Sequence, residues 1–124
     1  AVNALGGYGA RGKSEEEHAK IMADARAVAD AGAFAVVLEG VMEDLAIAIT
    51  DSVAIPVIGI GASAHCDGQV LVTEDMLGMF DRVARFVKRY ENIAETISGA
   101  AERYAADVRS RAFPTQEQVY RPKK

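Results

Sequence analysis

Hydrophobic positions fall in two rhythms along the chain. Between Ser14 and Ala31, the residues Ile21, Met22, Ala25, Val28 and Ala29 recur at the spacing of one helix face. Ser14 with Glu17 three residues on reads as a capping box, and Gly32 as the glycine that ends the helix. His18 lies at the edge of that stripe, where a packed or half-exposed histidine is the ordinary outcome. Phe34-Ala35-Val36-Val37-Leu38 then runs without a polar break into Glu39-Gly40. A continuous apolar run of this length predicts a parallel strand covered on both faces. Val41 to Val53 returns to helical spacing, with Met42, Leu45, Ala46 and Ile49 on one face and Glu43 and Asp44 in the first turn. Ile55 to Gly61 predicts a second buried strand with Pro56 at its start, where a missing donor costs least. Its alternating Gly59 and Gly61 mark a backbone that something approaches closely. After a loop over 62–68, Gln69 to Val72 predicts a short third strand, and Thr73 opens a helix.

The last third of the chain is expected to be helical almost throughout. Met76, Met79, Phe80, Val83 and Val87 form one stripe. Tyr90, Ile93, Ala94, Ile97, Ala101, Tyr104 and Val108 continue it after a slip near 88–92, and the run from Arg109 to Pro114 stops it. Strands alternating with helices predict an α/β fold with a parallel sheet. Stripes this long need a surface to cover, and three short strands do not supply it. Either the chain associates extensively or the rest of a barrel lies elsewhere.

Composition narrows the picture. At 124 residues, half of them hydrophobic, the chain has material for one core. A net charge of −4 and a pI near 5.2 give no basic footprint, which argues against nucleic acid. Cys66 is the only cysteine, so no internal disulfide forms, in keeping with a reducing, cytoplasmic setting. No apolar run has the length of a membrane span, and the start lacks a signal-peptide pattern. The first residue, Ala1, hints at an upstream portion.

Three stretches carry candidate chemistry. Glu39 closes a strand at the end where α/β folds gather their reacting groups, although an acidic residue there also suits the cap of the next helix. The stretch from Gly7 to Ser14 satisfies the spacing G-x-x-x-x-G-K-[ST] of a phosphate-binding loop, with Lys13 for phosphate and Ser14 for magnesium. Against that reading, Glu15, Glu16 and Glu17 repel a triphosphate at the same helix end, and Ala1 to Leu5 makes a poor preceding strand. His65-Cys66-Asp67 are adjacent in one loop and lack the spacing of a tetrahedral zinc site.

Taken together, the motifs Gly6-Gly7-Tyr8 with Gly12-Lys13, Val37-Leu38-Glu39-Gly40-Val41, Ile58-Gly59-Ile60-Gly61-Ala62, Asp67-Gly68-Gln69-Val70-Leu71-Val72, Asp75-Met76-Leu77-Gly78, Phe86-Val87-Lys88-Arg89-Tyr90 and Val108-Arg109-Ser110 with Phe113-Pro114 carry a resemblance. In order and spacing, over the whole chain, they resemble the C-terminal half of the ketopantoate hydroxymethyltransferase family. Ser63, where a second glycine is usual, and Glu74, where histidine is expected, depart from the pattern. The resemblance implies that residues 1–112 are the C-terminal half of a (β/α)8 TIM barrel and residues 113–124 an extended tail. It implies transfer of a hydroxymethyl group from 5,10-methylenetetrahydrofolate to 3-methyl-2-oxobutanoate, giving 2-dehydropantoate on the route to pantothenate. It also implies a magnesium ion that chelates the keto acid, with ligands upstream of this chain, and Glu39 as general base or proton relay. No metal ligand and no cofactor-binding residue is carried over to these 124 residues. The partners implied are the two substrates, the missing N-terminal half of the barrel and further copies in a high-order homo-oligomer. The alternatives from other classes are a phosphate-loop nucleotide binder and a non-catalytic half-barrel that serves only in assembly.

Overall fold

The computed structural model describes residues 9–122. Helix α1 (Glu15–Asp30) starts at its N-cap Ser14, whose hydroxyl accepts the Glu17 backbone N–H at 3.1 Å; the return bond of a capping box does not form, because the Glu17 carboxylate takes the Lys13 N–H instead. It ends at Ala31, whose N–H donates to the Ala27 carbonyl at 2.9 Å, and Gly32 follows. Strand β1 (Val36–Glu39), helix α2 (Glu43–Ser52), strand β2 (Val57–Ile60) and the two-residue strand β3 (Gly68–Gln69) come next. The three strands form one parallel sheet in the order β1-β2-β3, with Glu39 paired to Ile60 and Gly59 to Gln69. The architecture is α/β, as the alternating rhythms predict.

The core lies where α1 and α2 cover one face of this sheet. Leu45, Ala46 and Ile49 of α2 are fully buried against Leu38, Val57, Cys66 and Ala25. Val57, at the start of β2, donates its backbone N–H to Asp67 Oδ2 at 2.8 Å, so the loop before β3 is tied to the strand beside it.

Burial on both faces, expected from the apolar run, does not hold for β1. Phe34 is 92% exposed and lies outside the strand, and Val37 is 57% exposed while its neighbour Leu38 is buried. Successive strand residues point to opposite faces. The helices cover the Leu38 face, and among the described residues nothing covers the face of Val37 and Glu39. The third strand is also shorter than Gln69 to Val72. Val70 still donates to the Gly59 carbonyl at 3.0 Å, but β2 ends at Ile60, leaving the residues after Val70 no strand to pair with.

A second correction concerns residues 77–92. Helix α3 (Thr73–Met76) is a single turn, and the stripe through Met79, Phe80, Val83 and Val87 is not a helix. Gly78 turns the chain at φ +72°, in a place where a Cβ would overlap the Glu91 carbonyl oxygen. The loop closes on itself: Tyr90 donates to the Met76 carbonyl at 2.8 Å and Ile93 to the Leu77 carbonyl at 2.9 Å. Within it, the Arg89 guanidinium donates to the carbonyls of Phe80 and Asp81. A compact loop with adjacent ends, packed by its own side chains, spaces apolar residues without helical geometry.

Helix α4 (Ile93–Ser110) then forms as expected and stops at Arg111, in left-handed conformation. No residue of α4 is buried; Ile97, Tyr104 and Val108 are exposed along its apolar stripe. From Phe113 to Pro122 the chain has no helix or strand, although the Phe113 ring meets Tyr104 edge-on at 5.6 Å. The molecule exposes 9555 Å², where a folded monomer of its 13.2 kDa exposes about 6,400 Å². No helix among the described residues is long and apolar enough to cross a membrane.

Candidate active site

Glu39 is the last residue of β1 and its side chain is exposed. The backbone around it is held from both sides. Gly40 donates to the Ile60 carbonyl at 2.9 Å, and Arg11 runs alongside as a parallel bridge to Val41, its N–H on the Gly40 carbonyl and its carbonyl on the Met42 N–H, both at 2.8 Å. Three backbone segments therefore fix the height of Glu39 at the carboxyl end of the sheet. No hydrogen bond to its carboxylate exists among the described residues. Nor does it cap α2, because Met42 is the N-cap and the acidic first turn is Glu43 and Asp44. The capping alternative for Glu39 is thereby removed.

The glycine pattern after β2 also resolves. A Cβ at Gly59 would press on Cys66 Sγ and the Gln69 amide, each at 3.1 Å. Gly61 has φ +62°, and a Cβ there would overlap Phe86 Cβ and Cγ. Phe86, from the closed loop, thus lies on the carboxyl end of β2 and reaches Gly40, where a Cβ would stand 4.0 Å from Phe86 Cε1. The alternating glycines signal a close approach, but nothing in the sequence names its source.

Ser63, a departure from the family pattern, is buried. Its hydroxyl accepts the His65 N–H at 3.1 Å and reaches Glu43 Oε1 at 3.4 Å, while its carbonyl accepts from the Gln69 amide at 2.7 Å. One residue thus ties the loop after β2 to both α2 and β3. A local signal for this exists, since serine at the start of a loop favours hydrogen bonds to the backbone two residues on.

The phosphate-loop spacing does not build a phosphate site. Gly12 is buried, and Arg11 is paired along Gly40 to Met42. The Glu17 carboxylate takes the backbone N–H groups of Gly12 and Lys13 and lies 3.6 Å from the Arg11 guanidinium. The Gly12 hydrogen bond foremost, then Lys13 and Arg11, hold the Glu17 carboxyl below its usual value despite partial desolvation. The donors that a phosphate needs are already occupied by a carboxylate. A concavity of about 330 Å³ beside Lys13 and His18 also carries Glu15 and Asp44. Gly7 and Tyr8 lie outside the described residues.

His65, Cys66 and Asp67 point apart. His65 Nε2 pairs with Asp51 Oδ1 at 2.8 Å on the surface, Cys66 enters the core, and Asp67 holds the Val57 N–H. Among the described residues no group of three histidine, cysteine or carboxylate side chains is placed to hold a metal.

Comparison with known proteins places this geometry. Residues 1–116 match the family model described as ketopantoate hydroxymethyltransferase. The chain is similar to the 3-methyl-2-oxobutanoate hydroxymethyltransferase of Novosphingobium aromaticivorans, at 72% identity over 99% of the chain and 43% of that protein. It is also similar to the proteins of the same name from Sphingopyxis alaskensis, at 67% identity over 97% of the chain and 42% of the relative, and Erythrobacter litoralis, at 64% over 99% and 43%. The chain spans less than half the length of these curated relatives. With the family match covering nearly all of it, the chain belongs to the ketopantoate hydroxymethyltransferase family.

Proposed function

We propose that this chain is the C-terminal portion of an enzyme that transfers a hydroxymethyl group from 5,10-methylenetetrahydrofolate to 3-methyl-2-oxobutanoate, with Glu39 as the general base. The observation that carries this reading is one exposed carboxylate, without a hydrogen-bond partner among the described residues, at the carboxyl end of a parallel strand. Glu39 takes the proton from C3 of the keto acid. The C3–H bond pair moves into the C2–C3 bond, and the carbonyl oxygen becomes the enolate oxygen. One water converts the methylene carbon of the folate to formaldehyde as its two C–N bonds break and tetrahydrofolate leaves; C3 then attacks that carbon, the C2 carbonyl re-forms, and the new alkoxide takes the proton back from Glu39, giving 2-dehydropantoate.

The magnesium that the family implies does not fit this chain's described residues, which offer no cluster of ligands. No step is therefore routed through it, and no metal ligand is assigned here. The uncovered Val37 and Glu39 face supports a (β/α)8 barrel completed by an upstream half, with residues 1–112 as its C-terminal part and 113–124 as a tail. The exposed stripe of α4 supports contact with a neighbouring copy in a cytoplasmic homo-oligomer.

In the full-length enzyme, Glu39→Gln is expected to lower both hydroxymethyl transfer and hydrogen–deuterium exchange at C3 by about 10²–10⁴-fold. Exchange and turnover at the unsubstituted rate would remove Glu39 from the mechanism. A half-barrel serving only in assembly would instead leave the keto acid unexchanged and unconverted even when joined to its upstream half.

A further inference from the structure

We propose that Ile60 is a specificity-determining residue, the apolar neighbour of Glu39 that sets how large an alkyl branch at C3 of the 2-oxo acid is accepted. The proposal rests on the reading of Glu39 as the base. Its own support is strand register. Glu39 and Ile60 are paired, each the last residue of its strand. Paired residues of a parallel sheet stand side by side on one face, on strands about 4.8 Å apart. The burial pattern fixes which face that is. Along β2, Val57 and Gly59 are buried while Ile58 and Ile60 are half-buried; along β1, Leu38 is buried while Val37 and Glu39 are exposed. Ile60 and Glu39 therefore share the face that the helices leave open, at the same height.

That position decides what Ile60 touches. C3 is both the carbon that loses the proton and the branch point that carries the methyl groups. It has to come within about 3 Å of the carboxylate for the proton to pass, and each methyl is one bond from it. On the β2 side, the first side chain beside Glu39 is Ile60. Val37 shares the face but lies two residues deeper, about 6.6 Å along the strand. Val70 follows the Gly59–Gln69 pair and donates to the Gly59 carbonyl, so it extends the row beyond Ile60 and not beside Glu39. Ile60 is also held firmly. β2 is the central strand, bonded to β1 and β3, and isoleucine is stiff at χ1. An apolar surface with so little freedom to yield discriminates between alkyl groups, one methylene being worth about 10–200-fold in kcat/KM.

The test compares two substrates on one preparation of the full-length enzyme, so the fraction of folded protein cancels. The ratio of kcat/KM for 3-methyl-2-oxopentanoate, which carries one more methylene on its branch, over 3-methyl-2-oxobutanoate is measured for the unsubstituted enzyme, Ile60→Val and Ile60→Ala. Shortening the side chain opens room, so the ratio is expected to rise by about tenfold for Ile60→Ala, with Ile60→Val between the two. Should Ile60→Ala prove inactive, the Ile60→Val ratio decides. An unchanged or lower ratio would mean that Ile60 only packs the sheet, and would overturn the proposal while leaving Glu39 in place. Retained C3 exchange in Glu39→Gln would be a different failure, removing the base and with it the reason to seat the branch beside Ile60.

Discussion

The sheet with its two covering helices and the carboxyl-terminal stretch from Thr73 onward are both rich in apolar residues, yet only the first has an inside. Among the described residues the buried apolar core comes entirely from residues 25–66, whereas α4 contributes no buried residue. In the first region each helix stripe has its partner within the chain: α2 lies on β2, and α1 lies on β1 and α2. In the second, the partner of a stripe is either the stripe's own loop or something outside these residues. Periodicity reports that a face wants cover. Only contacts say where the cover comes from.

The largest difference between the regions should appear in stability. Leu45→Ala, in the full-length enzyme, removes a fully buried side chain that packs against Gly12, and is expected to cost about 2–5 kcal/mol in denaturant unfolding. Ile97→Ala, on the exposed stripe of α4, is expected to cost much less in that measurement. Because a face covered by another copy stabilises by mass action, the loss in melting temperature should itself vary with protein concentration, vanishing at dilutions where the unsubstituted enzyme is already dissociated. A concentration-independent loss as large as that of Leu45→Ala would break the comparison, placing α4 in an internal core of the complete subunit.

Two glycines sharpen it further, because both fall in stretches that the pattern reads as helix. Gly78 sits at φ +72° against the Glu91 carbonyl, so Gly78→Ala is expected to cost about 1–3 kcal/mol through strain and overlap. Gly99 lies within α4, and its nearest neighbour is the far end of the Arg103 side chain, at 3.3 Å from a Cβ. Gly99→Ala is expected to stabilise by about 0.5–1 kcal/mol, as alanine does within a helix. If residues 77–92 were helical, both substitutions would stabilise; opposite signs in paired melting curves would confirm the loop.

These contrasts explain what is legible in the sequence. The Ser14 cap of α1, the face of Leu45, Ala46 and Ile49, and a parallel strand ending at Glu39 depend on neighbours within a few residues or on a sheet the chain itself supplies, and they form, although the strand starts only at Val36 and is covered on one face. The helix expected through Phe80 and Val83 does not form, since the alternatives that win there, the Met76–Tyr90 closure and the left-handed Gly78, join residues far apart in sequence. Glu39 is legible because a lone carboxylate after an apolar run stands out. Phe86 and Ser63 are not, because their roles consist of contacts across the fold, to Gly61 and Gly40 in one case and to Glu43 and Gln69 in the other. The phosphate-loop spacing misleads for the converse reason: its donors are present but already taken by Glu17.

That occupation of donors by Glu17 gives the smallest effect and a pH signature. Its carboxyl is held below 4.5 chiefly by the Gly12 N–H, with Lys13 and Arg11 adding to it. A carboxyl whose folded value is depressed binds its proton more weakly in the folded state, so it stabilises fully above the unfolded value, and that stabilisation is lost as pH falls through the folded one. The group is partly exposed and its partners lie on the surface, so salt should weaken the effect as well. Glu17→Gln keeps an oxygen for the backbone donors and removes only the charge. The melting temperature of the full-length enzyme should therefore drop slightly on substitution at pH 7, with the difference shrinking below pH 4.5 and in high salt. A difference that stays constant from neutral to acid pH would assign the stabilisation to the geometry of the side-chain hydrogen bonds to Gly12 and Lys13 alone, and the charge of Glu17 would then have no part in it.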